Sequence, residues 1–473
     1  MSRTPFLFLK CPLAGLTAAL LPWCAWAGQP PSTIGTVTIP AGWQEPAGPA
    51  GPLDVAALTQ WWARLHNPVL DELIAGALRQ SPDIRTAVSK ISEARARRGV
   101  ARAGLAPSLS AGATGSGTHT RDRPTGAVTQ GESYTAALEA SWDTDLFGQQ
   151  RQTLAAASAD LAQATENFHA AQVSLAAEVA SAYVTLCSTE ARLTVVENSV
   201  AAQAETAQIA QWREQAGLAS ALDTQQALST LEEARASLPT LQQTLAQTRT
   251  QLAILCGRAP GELDALLARP HTLPAVPEAL ATGIPAETLR QRPDVRAAER
   301  GVAAAAARTQ AAKRERLPSL TLTGSLGVES LRAGRLFSPE TVTSSLLGSL
   351  TAPIFDAGRI RNNITIQTEV GRQALLAYES TVLTALAEVE NAQAAVQRTA
   401  ERLALLERAT AAAREAALLA GQQYQAGQVG LLVVLDAQRT LLGLEEQRVL
   451  TAADRIDAHI QLYKTLGGGW SSL

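Results

Sequence analysis

The stretch PDIRTAVSKISEARARRGVARAGLAPSL, residues 82–109, decides the fold because the chain contains a second version of it. The sequence PDVRAAERGVAAAAARTQAAKRERLPSL, residues 293–320, matches it without a gap at a constant offset of 211. Further along, Gly148 matches Gly358 and Ala216-Gly217 matches Ala426-Gly427 at an offset of 210. A match over 28 residues that continues in phase predicts an internally duplicated fold.

The two copies are separated by a proline-rich stretch. Four prolines between residues 258 and 282 exclude a continuous helix or a central strand there. This stretch is therefore predicted to be a connector. The predicted order is an extended segment at 28–68, a first repeat at 69–257, the connector at 258–282, a second repeat at 283–467 and a short tail at 468–473.

Each repeat contains two predicted strands of about ten residues. The clearest is SLTLTGSLGV after Pro318, in which Leu320, Leu322 and Val328 alternate with hydroxyl side chains. Strands of this length and alternation cross a bilayer when tilted, and four of them cannot close a barrel, so several chains must contribute. A soluble sandwich is the alternative, but no second sheet is predicted to cover the apolar face. The strands are predicted near 107–118, 133–145, 318–329 and 343–355.

The remaining sequence predicts two long helical hairpins, at 149–257 and 359–467. Apolar residues recur every seven positions, as in Leu154, Leu161 and Phe168, which is the pattern of a coiled-coil seam. No later run reaches the roughly 18 uninterrupted apolar residues of a spanning helix, so membrane crossing is predicted to be by strands. The fold class is mainly α with a membrane β-barrel.

Composition and charge exclude several functions. The formal net charge is −3, without a basic run, so a nucleic-acid partner is not expected. The five histidines are scattered, and no metal-ligand spacing, phosphate loop or catalytic arrangement is found. We therefore expect no cofactor, no metal site and no enzymatic activity.

The first 27 residues are typical of a secretory signal peptide, with an apolar stretch from Leu13 to Trp23. Ala25-Trp26-Ala27 offers a cleavage site, while Cys24 offers a competing lipidation site. The bulky Trp23 occupies a position where a lipidation motif has a small residue. The sequence therefore leaves open whether the signal is cleaved after Ala27 or Cys24 is lipidated.

Several motifs resemble the TolC-like outer-membrane efflux factors, in particular the NodT-type branch that serves resistance-nodulation-division pumps. The matching segments are WW and NPVLDELIAGAL at 61–78, AGLASALDTQQA at 216–227, LRQRPDVRAAE at 289–299, LPSLTLTGSLG at 317–327, YQAGQVGLLVVLDAQR at 424–439 and LYKTLGGGW at 462–470. The resemblance covers nearly all of the mature chain. It implies a homotrimer in which a twelve-stranded barrel in outer-membrane lipid continues into a twelve-helix periplasmic tunnel.

The second hairpin contains the main candidate site. Leu432, Asp436 and Arg439 lie at i, i+4 and i+7 on one helix face. By resemblance these positions match a periplasmic gate, which threefold symmetry turns into an apolar ring and a carboxylate ring. The alternative is an ordinary surface pair between Asp436 and Arg439. Asp223 is the weaker counterpart in the first hairpin.

The turns of the two hairpins are predicted to be exposed tips that dock a periplasmic adaptor protein. The tip residues are Gly217, Leu218, Ser220, Gly427 and Gly430. The predicted function is the outer-membrane channel of a tripartite efflux system for small solutes, assembled with the adaptor and an inner-membrane pump. A duct for type I protein secretion shares these features, and a purely structural periplasmic coiled coil is a third possibility.

Overall fold

A computed structural model describes residues 39–40, 42–44, 55–268, 271–276, 285–336, 338 and 342–470. The chain divides into two units, Met1–Thr38 and Ile39–Leu473, and all the described residues belong to the second. The predicted signal peptide at 1–27, with Cys24, lies outside them.

The element order repeats the duplication seen in the sequence. A helix, two strands and a long helical hairpin occur twice, and a short helix precedes each set. The helices are α1 (Val55–Thr59), α2 (Pro68–Gln80), α3 (Pro82–Ala103), α4 (Gln149–Gln215), α5 (Ala221–Leu255), α6 (Pro285–Gln291), α7 (Pro293–Arg314), α8 (Arg359–Gln425) and α9 (Leu431–Thr465). The strands are β1 (Ser108–Arg121), β2 (Val128–Asp143), β3 (Ser319–Ser330) and β4 (Val342–Thr351).

The four strands form one antiparallel sheet in the order β1-β2-β3-β4. Its register gives the sheet one apolar face, on which Leu138 lies between Ala111 and Leu326. The other face is polar, and Thr114 and Thr135 share a hydrogen bond of 2.7 Å across it. The free edges of the described sheet are β1 and β4.

Three predicted strand limits are wrong. The strand β1 continues past residue 118 to Arg121, and β2 begins at Val128 rather than near 133. The two backbones pair over these residues although the side chains there do not alternate. The strand β4 ends at Thr351 rather than near 355. Pro353 lacks an N–H group and cannot continue the ladder of hydrogen bonds.

The helices form a layer in which α7 lies between α4 and α8, while α3 packs on α4. The helices α4 and α8 have 67 residues each, or about 100 Å. One window of 18 residues within α4 is apolar enough for a helix that crosses a membrane, but 61% of this window is buried within the protein. The return helix α5 ends against the start of α3. A Cβ atom on Gly257 would lie 2.5 Å from the carbonyl oxygen of Gln80.

A hydrophobic core, which we call the waist core, joins the N-terminal elements to the middle of the hairpins. Leu58, Trp61 and Leu65 are buried in it, and the Trp61 ring stacks on Tyr463 with the ring centroids 5.4 Å apart. The prediction of an extended segment at 28–68 is therefore wrong for its last part, from residue 55 onward. Residues 55–59 form α1 and Trp61–Leu65 forms a 3-10 turn, because this spacing places the three apolar side chains on one face.

The chain ends of this unit are packed together in the waist core. The amide of Gly469 donates a hydrogen bond of 2.9 Å to the carbonyl oxygen of Leu58. Gly468 lies so close to Trp61 that an added Cβ atom would be 3.0 Å from its ring. Residues 468–470 of the predicted tail are thus part of the core.

The two cysteines in the described part of the chain, Cys187 and Cys256, are buried free thiols. Burial raises the pKa of Cys187 to about 12, so it remains protonated at neutral pH.

Candidate functional site at the hairpin tips

Each long helix ends in a tight turn built on glycine. Gly217 and Gly427 have φ angles of 72° and 74°, in the left-handed region that glycine adopts without strain. At the first tip the amide of Leu218 bonds the carbonyl oxygen of Arg213, and at the second the amide of Gln428 bonds that of Gln423. These bonds close the last turn of α4 and α8 and reverse the chain.

The first return helix begins with a capping box. The Ser220 hydroxyl accepts a bond from the amide of Asp223, and the Asp223 carboxylate accepts bonds from the amide and hydroxyl of Ser220. These bonds satisfy donors at the start of α5. The structure therefore gives Asp223 a local structural role, which the sequence did not predict. At the second tip Gly430 precedes α9 without a side-chain cap.

The predicted gate residues lie together in a groove between α5 and α9. The groove has a volume of about 410 Å³ and includes Leu432, Asp436 and Arg439 of α9. Its α5 side is polar and contains Gln226, Ser229, Thr230 and Glu233. The Leu432 side chain is 62% exposed, which is unusual for a leucine next to a packed helix pair. The structure thus brings the three α9 residues together and leaves Asp223 outside this groove.

The alternative surface pair does not form. Both Asp436 and Arg439 are exposed, and neither makes a salt bridge or side-chain hydrogen bond with any residue in the described part of the chain. Two opposite charges and an exposed leucine therefore face open space from one helix. This arrangement is suited to contact with another copy of the chain or with solutes in a channel.

Arg213 links the two tips. Its guanidinium donates a bond of 2.6 Å to the carbonyl oxygen of Tyr424 and lies 4.7 Å from the centre of the Tyr424 ring. Burial raises the pKa of the Tyr424 hydroxyl, an effect that Arg213 partly opposes. Beneath this contact Ala207, Ala210, Leu431 and neighbouring residues form a small tip core.

The sequence did not identify Arg213 as a site residue. A basic residue in the last turn of a helix is a common stabilising feature, because it interacts with the free carbonyl groups there. Its partner lies 211 residues away, so the contact has no local signal.

The described residues contain no group of three or more His, Cys, Asp or Glu side chains suited to hold a metal ion. The tips present apolar, hydroxyl and charged side chains at the far ends of helices that begin beside the four-stranded sheet.

Comparison with known proteins identifies the family. Residues 73–258 and 284–468, one segment in each repeat, match the family described as Outer membrane efflux protein. This chain belongs to the outer membrane efflux protein family. The resemblance found in the sequence motifs is thereby confirmed, and the two matched segments correspond to the two repeats.

Two relatives and one solved structure illustrate the similarity. The toluene efflux pump outer membrane protein TtgF of Pseudomonas putida is 32% identical over 419 residues, covering 87% of this chain and 86% of the relative. The pyoverdine export outer membrane protein OpmQ of Pseudomonas putida is 30% identical over 452 residues, covering 93% and 94%. The outer-membrane channel OprN has a TM-score of 0.85 at 31% identity, with 93% of this chain and 99% of that one aligned.

Family membership and the structure together confirm the TolC-like fold. As a member of the outer membrane efflux protein family, the chain is a channel component of the outer membrane that extends into the periplasm, and it is not an enzyme. The hairpins provide the periplasmic part.

Proposed function

We propose that this chain is the outer-membrane duct of a tripartite efflux system and exports small solutes. The observation that carries the proposal is the pair of long hairpins with exposed tips in a member of the efflux family. A periplasmic adaptor docks at the tips, and an inner-membrane pump of the resistance-nodulation-division class loads the duct. Small solutes are favoured because relatives are named for toluene and pyoverdine.

The working unit in this proposal is a homotrimer. The strands β1 and β4 leave unpaired edges in the described sheet, and three copies joined edge to edge give twelve strands. The helix layer supports the same closure. Its edge helix α8 exposes Leu376 and Leu383, seven residues apart on one face, which a neighbouring copy covers.

The groove residues form the gate of the closed trimer. Symmetry brings three copies of Leu432 into an apolar ring and three copies of Asp436 into a carboxylate ring. Because Asp436 has no counter-ion within the described part of its own chain, we assign Arg439 of a neighbouring copy as its partner. The Arg213 contact holds the two hairpins of each chain in the closed arrangement.

Single-channel conductance in planar bilayers tests the gate. We expect the wild-type trimer to be nearly closed, and Leu432→Ala to conduct more because the apolar ring that excludes water is removed. Arg439→Ala should also conduct more, since the repulsion among the Asp436 carboxylates is no longer offset. Asp436→Ala should be less cation-selective.

A matched control for this experiment is Leu218→Ala. Leu218 is also exposed, at 70%, but it lies at the first tip and outside the groove. Its truncation should leave the conductance unchanged. Conductance and selectivity equal to wild type in all three groove variants would place the gate elsewhere.

Thiol crosslinking tests the adaptor contact. Leu218→Cys introduces an exposed thiol without disturbing the Ser220 capping box, and the native cysteines in the described residues are buried. In cells that also express an adaptor of a resistance-nodulation-division system, we expect an adduct from Leu218→Cys. The control Ile254→Cys is also exposed but lies about 50 Å away along α5, and it should give none. Equal labelling at both positions, or none at Leu218→Cys, would contradict docking at the tips.

A further inference from the structure

A basic side chain lies at each of the four junctions between a strand and a helix of the helix layer, namely α3–β1, β2–α4, α7–β3 and β4–α8. Arg102 lies near the end of α3 and Lys313 in the last turn of α7. Arg151 and Arg361 are each the third residue of the helix that follows a strand, α4 and α8. We call these four residues the basic collar. The sequence repeat relates Arg102 to Lys313 and Arg151 to Arg361, so both halves contribute equally.

Three of the four collar residues have no acidic partner among the described residues. Arg102, Lys313 and Arg361 are exposed, and none of them pairs with an acidic group in the part of the chain that the structure describes. Arg151 is also exposed, and it contacts Asp145 at 3.0 Å.

The acidic groups at the same level make other contacts. Asp145 and Asp356 accept bonds from amides at the start of α4 and α8, and Glu315 accepts a bond from Asn363 and lies 3.8 Å from Arg359. Arg102, Lys313 and Arg361 therefore have no acidic partner at this level within the described residues.

The collar lies on one side of the helix layer. A groove of about 620 Å³ marks the opposite side, and its lining includes Val100, Gln149, Thr153, Glu315 and Asn363. Each collar residue is two positions from one of these lining residues. Two positions along a helix correspond to a rotation of about 200°, so the collar side chains point away from the groove.

The side that carries the collar is the outside of the duct, an assignment that rests on the proposed function. Asp160 also lines the groove, and His169 lies nine residues, or two and a half turns, further along α4. His169 is therefore on the opposite face of α4 from the groove. Its ring contacts Trp470 with the centroids 4.6 Å apart, so the C-terminal segment covers the side away from the groove. A duct needs an open lumen, so that covered side faces outward.

Apolar side chains are exposed beside the collar. Ile354 and Phe355, between β4 and α8, are 97% and 90% exposed, and Leu146 and Phe147 are exposed between β2 and α4. The apolar face of the sheet ends at this same level. A band of exposed apolar residues followed by free cations matches the boundary between hydrocarbon and headgroups.

We propose that the basic collar binds the anionic headgroups of phospholipids in the periplasmic leaflet of the outer membrane. Arg and Lys side chains donate hydrogen bonds to headgroup phosphates, while the neighbouring apolar residues contact the acyl chains. The collar thereby fixes the depth of the duct in the membrane.

Native mass spectrometry of the full-length detergent-solubilised trimer tests the proposal with two lipids, dioleoylphosphatidylglycerol and dioleoylphosphatidylcholine. We expect wild type to retain the anionic lipid preferentially. The triple variant Arg102→Gln, Lys313→Gln, Arg361→Gln should lower this preference by about fivefold for each charge removed. Arg151 is left in place because it contacts Asp145.

A second triple variant controls for net charge. Arg85→Gln, Arg402→Gln, Arg408→Gln removes three exposed cations from the same helices, α3 and α8, at positions far from the strands. Arg408 is about 70 Å from Arg361 along α8. This variant should retain the wild-type lipid preference.

Three outcomes would overturn the proposal: an unchanged preference in the collar variant, an equal loss in the control, or displacement of the bound lipid by millimolar inorganic phosphate. The last would indicate a site for free anions. The same spectra report the oligomer. A wild-type trimer without lipid preference contradicts the collar alone, whereas a wild-type monomer contradicts the proposed function.

Discussion

At the scale of single residues, two glycines close the two halves in the same way. Gly257 and Gly467 follow the return helices of the first and second hairpins, with φ angles of 68° and 76°. Each packs against the backbone just before the helix that leads into the sheet, at Gln80 before α3 and at Gln291 before α7. Both a left-handed backbone and a close approach exclude a side chain there.

The first of these contacts predicts a large effect of one methyl group. In Gly257→Ala the new Cβ atom would lie 2.5 Å from the Gln80 carbonyl oxygen, so the backbone must move. We expect the free energy of unfolding to fall by about 1–3 kcal/mol, with a lower thermal midpoint in detergent.

Gly76→Ala provides the comparison. Gly76 lies inside α2, and a Cβ atom there would have no heavy atom within 4 Å. This variant should gain about 0.5–1 kcal/mol from the better helix propensity of alanine. Equal midpoints for the two variants would show that the contact at Gly257 is unimportant.

At the scale of elements, the sequence predicted the hairpins better than the sheet. Heptads such as Leu154, Leu161 and Phe168 repeat over many turns, and Gly217 ends the helix, so each signal is local. The outer half of β1 carries Gly, Ser and Thr on both faces, so no alternation marks its end. Its limit at Arg121 depends on pairing with Val128, which only the folded hairpin provides.

The candidate site was predictable to a similar degree. The spacing of Leu432, Asp436 and Arg439 placed them on one face, and the resemblance suggested their role. Their polar surroundings on α5 were not predictable, since Gln226 and Glu233 lie about 200 residues earlier in the chain. Contacts between the hairpins have no signal within either one.

The Arg213 contact predicts how the two hairpins move. Arg213→Ala removes the bond to the Tyr424 carbonyl oxygen and the contact with its ring. We expect faster hydrogen exchange at residues 205–230 and 418–436, and more frequent channel opening in bilayers, because the tips separate more easily.

Tyr424→Phe separates this contact from other effects of the tyrosine. The Tyr424 hydroxyl is buried without a hydrogen-bond partner among the described residues, and Arg213 uses only the ring and the backbone carbonyl. The variant should therefore behave like wild type. Opening of the tips in Tyr424→Phe comparable to Arg213→Ala would show that the hydroxyl, not Arg213, links the hairpins.

At the scale of the whole molecule, the sheet and helix layer are incomplete in one copy. The edges at β1 and β4 are unpaired in the described sheet and Leu376 and Leu383 of α8 are exposed, which is the basis of the proposed closure by neighbouring copies. We expect a trimer as the stable species in native mass spectrometry. The double variant Leu376→Asp, Leu383→Asp should shift it toward monomer, because burying unpaired carboxylates in an apolar interface costs their hydration free energy. A wild-type dimer or monomer would contradict threefold closure.

The hydrogen bond from Gly469 to Leu58 has a further consequence for chain connectivity. Because the beginning and the end of the packed unit touch, its backbone is nearly a closed circle that is interrupted at one point. The proline-rich connector lies where the two repeats join, on the far side of that circle in sequence. A circular permutant in which a short linker joins Trp470 to Val55, and which is opened in the connector, would keep the contacts of both repeats, with the second half synthesised first.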